Sequence, residues 1–352
     1  MRCLKNIVPL RCMKPLCCLA ILCLACHFSS LAQSEDLNTL RETAKTYMRQ
    51  GDYPNAIVVL SRAQNLAPGN IDVLKDLAFS YYLQRNYSQA LETAKPLPDR
   101  KDADVECYQI LGMVYKAIEE RKECEKMYKQ GIKRFPTSGV LYNEYGEMLW
   151  TKQDYDAIKY WEKGIEVDPS YASNYYNACK FYYFTYDKVW SLIYGEIFVN
   201  LESYSKRTPE IKDILLQGYK KLFSDAKLQK NQNTKNPFAA AYLSVMTDQF
   251  GAISSGISAE SLTVLRSRFV LSWFEKYAGK FPFRLFEYQR QLLKEGMFDA
   301  YNQWIFGAAQ NLTAFQGWTN SHADEYNRFI NFQTGRVFKA PTGQYYQTPL
   351  GK

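Results

Sequence analysis

Apolar and small residues return along the chain at a near-constant interval, with polar turns between them. Tyr47, Tyr81, Tyr115 and Leu149 are each 34 residues apart, and Ala44, Ala78, Gly112 and Gly146 keep the same step. Ala56, Ala90 and Cys124 form a second column of small side chains. Tyr53 and Tyr87 hold the interval too; Arg121 misses it and Tyr155 resumes it. One residue is then lost, so Ala157, Pro169, Cys179 and Tyr182 follow a step of 33. Within each period the apolar positions fall three and four apart, which predicts amphipathic helices. The stretches GDYPNAI and RNYSQAL predict a turn inside the period. Pro68, Pro136 and Pro169 fall where a second helix ends.

The pattern therefore predicts pairs of antiparallel helices. Small residues on the first helix face small residues on the second, so the backbones approach closely. Leu77, Tyr81, Leu111 and Tyr115 fill the space between pairs. Cys124 and Cys179 sit in small-residue slots and read as compact buried side chains. A single pair cannot bury its apolar stripe, so neighbouring pairs must cover it.

The third period carries Tyr108, Leu111-Gly112, Tyr115, Cys124, Tyr128, Gly131 and Pro136, and with this spacing it resembles the tetratricopeptide repeat. The resemblance implies an all-α helical-hairpin solenoid of five repeats over residues 37–205, with first helices lining a concave groove. Read onto this chain, the groove would present Arg41 and Lys45, then Lys75, Phe79 and Tyr82, then Met113 and Lys116. Asn143 and Trp150 would continue it, followed by Tyr176, Lys180 and Tyr183. Large aromatics on a face that need not be buried suit a protein or peptide ligand. The alternative is that the chain's own C-terminal helices fill the groove and the protein is a structural subunit. Positions matching the family's carboxylate clamp are Lys45, Asp76, Glu106 and Ile110, which lack the required asparagines and cations, so that ligand is not expected.

Beyond the repeats, residues 206–338 read as an aromatic-rich helical domain. Thr208-Pro209-Glu210 opens a helix, with threonine as cap and proline in the first turn. Further helices are expected near Phe238–Phe250, Ser258–Tyr277, Arg284–Lys294, Phe298–Asn311 and Leu312–Val337. The segment LLKEGMFDAYNQW (292–304) loosely echoes the repeat turn. Residues 339–352, with two prolines and two glycines, read as a flexible tail.

Composition alters this picture mainly at the N-terminus. A basic start at Met13-Lys14, an apolar run from Leu16 to Cys26 and small residues before Ala32 have the layout of a secretory signal peptide over residues 1–32, with cleavage near Ala32. This predicts a periplasmic or otherwise exported protein; membrane association would follow only if Cys26 were lipidated. Six of the nine cysteines lie in this leader, leaving Cys107, Cys124 and Cys179, too few for a disulfide framework. The leader also holds Arg2, Lys5, Arg11 and Lys14 and no acid, so the remainder carries 40 cations against 36 acids. That modest excess gives little support to nucleic-acid binding.

No cofactor or metal is expected, and no catalysis. His322 is the one histidine after the leader, and no GxSxG, P-loop, GxGxxG or HExxH occurs. An unrecognised hydrolase in 238–338 remains an alternative. The reading as a whole is a non-catalytic protein- or peptide-binding scaffold of the bacterial cell envelope, partner unknown.

Overall fold

The computed structural model describes residues 36–224, 227–228 and 232–347. The expected leader, its cleavage site and the alternative lipidation at Cys26 lie outside them. Among the described residues the chain is helical, without strands. It divides into two compact units, at Thr93/Ala94. This boundary falls inside the repeat array, whereas the sequence reading places one at 205/206.

The first unit holds α1 (Leu37–Arg49), α2 (Tyr53–Leu66), α3 (Ile71–Leu83) and most of α4 (Tyr87–Ala94). Ala44, Ala56, Leu60 and Leu77 form its core, with Tyr47 and Tyr81 packed against them. The Asp52 and Asn70 side chains accept hydrogen bonds from backbone amides at the starts of α2 and α3. Such caps satisfy amides that have no partner within the helix.

The second unit opens with α5 (Val105–Ala117), α6 (Arg121–Arg134), α7 (Gly139–Thr151) and α8 (Ala157–Val167). α9 (Ala172–Phe184), α10 (Lys188–Leu201) and α11 (Thr208–Leu222) follow. α5 pairs with α6, α7 with α8 and α9 with α10.

The turn between paired helices repeats as strictly as the side chains do. Gly51, Arg85, Glu119 and Gln153 all have positive φ, between 58° and 78°. The next residue's amide reaches back five positions in each case: Asp52 to Tyr47, Asn86 to Tyr81, Glu120 to Tyr115 and Asp154 to Leu149. This is the Schellman closure of a helix C-terminus. The column that carries the period in sequence is thus also the column whose carbonyls close the turns.

Close packing inside the hairpins follows expectation and adds to it. The Cys124 thiol lies 4.0 Å from the Gly112 carbonyl oxygen, and the Ser191 hydroxyl donates to the Cys179 carbonyl at 3.1 Å. Small does meet small. Yet the space where a Gly112 side chain would stand is filled by the Tyr128 ring, and the Trp161 indole occupies the same place at Gly146. An aromatic knob one turn beyond the small position locks each of these hairpins.

α10 is buried on every side, because α9 and α11 cover it from the repeat array and α12 (Pro237–Asp248) from beyond it. α11 continues the row of first helices: Glu210 meets Tyr176, and Arg207 meets Ser173, each pair 34 residues apart. The array therefore runs past residue 205 into the expected second domain. After α12 come α13 (Ala259–Lys276), α14 (Arg284–Lys294), α15 (Phe298–Asn302), a π-helical turn (Gln303–Gly307) and the short α16 (Ala308–Gln310). The single helix expected over Leu312–Val337 is instead α17 (Leu312–Ser321) and α18 (Ala323–Thr334), broken at His322. The α14–α15 turn has the repeat geometry, with Gly296 at φ +64° and the Met297 amide bonded to the Leu292 carbonyl.

Two features hold this region together. Phe238, Trp273, Phe281 and Phe286 form an aromatic core, each at most 2% exposed. Beside it lies a polar knot. Arg266 donates to Glu196 and Asn302, while Gln289 and Tyr301 donate to the same Glu196 oxygen at 2.7 and 2.8 Å. Arg266 and Glu196 are 1% and 5% exposed, so each depends on the other to justify its removal from water.

The expected flexible tail is a correction. As far as Gln347 the segment packs against the unit, because Tyr346 stacks on Phe238 at 4.7 Å and Asn236 donates to the Tyr346 and Gln347 carbonyls.

Candidate protein-binding surface

The stripe nominated from sequence is sorted by burial and pairing. In the first unit, Arg41 bonds Asp72 and Asp76 on α3 at 3.2 and 2.8 Å, and Lys45 bonds Glu42 at 2.9 Å. Lys75 is 4% exposed and pairs with Asp72. Arg41 thus ties α1 to α3, Lys45 and Lys75 pair with acids of their own helices, and Lys75 is buried. Phe79 and Tyr82 are half-buried and stack 6.2 Å apart, with Tyr87 beside Tyr82.

In the second unit the polar members form a ladder along successive first helices. Lys116 on α5 bonds Glu144 on α7 at 2.5 Å. Asn177 on α9 bonds both Asn143 and Glu147 on α7. Lys180 and Tyr176 on α9 both bond Glu210 on α11. Burial alone would lower the Lys180 pKa, but its bonds to Glu210 and Tyr176 leave it raised. Asn143 is 2% exposed and unavailable to a ligand. Met113 is half-buried and takes no part in the ladder. Of the groove cations, Arg41, Lys116 and Lys180 are thus engaged by the next repeat, and Lys45 and Lys75 by acids of their own helices.

The aromatics are arranged differently. Trp150, at the end of α7, packs edge-on against Tyr155 and Phe181, with Trp161 beneath. Trp150 is 40% and Tyr155 67% exposed. One hairpin further on, Phe184 and Tyr186 are 74% and 77% exposed. Tyr183 is half-buried, with the Lys221 ammonium 3.7 Å above its ring centre. Lys188 is held by the Tyr183 and Thr185 carbonyls. Burial and the neighbouring Lys221 lower its pKa to about 8. The result is an aromatic rim at the ends of α7 and α9. Sequence reasoning found Trp150 and Tyr183 but missed Tyr155, Phe184 and Tyr186. The run FYYFTY (181–186) was the available signal, since consecutive aromatics at a helix end point to every face and cannot all share the stripe that packs on the neighbouring hairpin.

Little suggests reaction chemistry on the described surface. His322 is exposed, stacked on Trp318 and bonded to Ser321. No group of three or more histidine, cysteine or acidic side chains could hold a metal ion among the described residues, and none of their helices is long and apolar enough to cross a membrane.

Residues 47–114 and 105–138 each match a family model of the tetratricopeptide repeat. No curated protein matches the chain. Among solved structures, it is similar to the C-terminal part of a TPR repeat-containing protein from Cytophaga hutchinsonii, with 14% identity and a TM-score of 0.42 over 78% of this chain and 98% of that one. A tetratricopeptide repeat protein from Parabacteroides merdae gives 15% identity and 0.36 over 80% and 96%. MamA gives 20% identity and 0.38 over 46% and 94%. Likenesses at this level carry nothing about ligands. The chain therefore carries tetratricopeptide repeats over residues 47–138, within a longer all-α array of the same hairpin build.

Proposed function

We propose that this chain is a non-catalytic scaffold of the bacterial cell envelope that binds a protein or peptide partner through the aromatic rim at the ends of α7 and α9. The observation that carries the reading is the exposure of Trp150, Tyr155, Phe184 and Tyr186 at the ends of α7 and α9, in a repeat array whose groove residues Lys116 and Lys180 are already paired. Exposed aromatics in a cluster are where partners gain contact area at low entropic cost. The leader pattern over residues 1–32 supports the envelope location. Crosslinked capture from envelope fractions tests the reading. Trp150→Ala and Phe184→Ala should each abolish a captured band that Val58→Ala, at a 57% exposed site in the first unit, retains. Equal capture by all three variants would remove the rim from consideration.

A further inference from the structure

The chain's last described residues lie across the second helices of the repeats as an extended strap. Tyr345 lies against Glu162 on α8 and Tyr194 on α10. Tyr346, on the opposite side of the strap, enters the aromatic box of Phe238, Phe281 and Phe283. The Gln347 amide donates to the Tyr182 hydroxyl at 2.5 Å, and that hydroxyl donates to Glu162 at 2.7 Å; Tyr194 donates to the same Glu162 oxygen at 3.3 Å. Between strap and helices lies a narrow cavity of about 20 Å³, lined by Ile193, Trp190, Phe338 and Tyr345.

We propose that the face of α8, α9 and α10 is a binding site for an extended, tyrosine-bearing peptide, and that residues 339–347 occupy it in cis as an exchangeable occupant.

Three observations separate an occupant from ordinary core. First, the strap is fastened by side chains. Asn236 donates to two of its carbonyls, the Gln344 side chain accepts from the Arg284 amide, and Tyr346 donates to the Pro282 carbonyl. No backbone–backbone hydrogen bond joins 339–347 to the rest among the described residues. Secondly, Pro341, Thr342 and Gly343 are exposed, so its anchors are confined to its end. Thirdly, the fit is incomplete. The Trp190 indole N–H is buried in a residue 2% exposed that lines the cavity, yet it has no partner, and neither does the Gln347 amide oxygen. A buried donor left unmet is a cost that a better-matched peptide would remove.

Glu162 sits where the strap's anchors converge. Burial raises its pKa to about 7 against the opposing bonds from Tyr182, Tyr194 and Gln347, and Asp187 adds a like charge. The strap's own bond, from Gln347, acts on the side of the carboxylate.

The test uses the full chain and a fluorescein-labelled peptide of residues 339–352. Gln344→Ala/Gln347→Ala weakens the strap within the chain while leaving its site intact. It should bind the peptide about tenfold more tightly than wild type, because a larger fraction of sites is vacant. A peptide with both tyrosines changed to alanine should not bind. Hydrogen-exchange protection of 339–347 should be lower in the folded double variant than in wild type. A dimer in light scattering that the peptide dissolves would identify a second copy's strap as the natural competitor and support the site. Absence of peptide binding by a folded double variant, or binding that ignores the tyrosines, would overturn the proposal. Rim variants should leave peptide binding unchanged, so this test is independent of the proposed function.

Discussion

Gly112 and Gly146 show how finely the hairpins are fitted. A methyl group at Gly112 would stand 2.0 Å from the Tyr128 hydroxyl oxygen, and at Gly146 2.4 Å from the Trp161 indole nitrogen. Both aromatic rings are buried and hydrogen-bonded, Tyr128 to Glu144 and Trp161 to the Asn143 carbonyl, so neither can swing away freely. Gly112→Ala and Gly146→Ala should each cost roughly 1–3 kcal/mol in urea unfolding, the usual penalty of overpacking. Gly69→Ala has open space around it and should fall within about 0.5 kcal/mol of wild type. The requirement for small side chains was legible in the sequence as a column. Its cause, an aromatic knob on the partner helix, was not: Tyr128 entered only as a letter of the repeat pattern, and Trp161 was not singled out.

Among elements, the left-handed turn residue gives the clearest contrast. Gly51 adopts φ +78° without strain, whereas Arg85, Glu119 and Gln153 hold nearly the same conformation with a side chain. Gly51→Ala should lose about 1 kcal/mol, and Gln153→Gly should be neutral or gain up to about 1 kcal/mol, both read from denaturant midpoints. The period forecast these hairpins well. It did not forecast where the groove cations go, since Lys116 and Lys180 find their acids 28 and 30 residues away, in the next repeat. It also stopped one helix short. α11 packs as a first helix but carries Asp213 34 residues after Cys179, where the earlier column has a small side chain, so the letter pattern fades while the geometry persists. Proline and glycine in 339–352 report weak local propensity and are silent about Tyr346, whose partners lie at 238, 281 and 283.

Across the second unit, buried ionisable groups set how stability responds to pH and mutation. Glu196→Ala strands the Arg266 guanidinium and should cost about 3–5 kcal/mol, the usual result of removing half a buried pair. Calorimetry should find a much smaller loss when both are replaced by leucine and methionine. Burial raises Glu162 to about 7 and Asp187 to about 6, so their contribution is full below the unfolded values near 4 and is lost as pH rises toward 7. Burial lowers Lys212 to about 7 and Lys188 to about 8, so the penalty of discharging them in the fold is relieved as pH climbs toward 10. The melting temperature should therefore pass through a minimum near neutrality, flattened on its acid side by Glu162→Gln and on its alkaline side by Lys212→Met. The three thiols among the described residues, Cys107, Cys124 and Cys179, are all buried, and burial moves Cys124 to about 11 and Cys179 to about 12. The thiolate is the nucleophile that adds to maleimides and reacts with oxidants. Among the described residues, a cysteine placed at position 184 would consequently be the one fast-reacting sulfur, and in a chain lacking residues 1–32 a dye attached there would report directly on whatever approaches that edge.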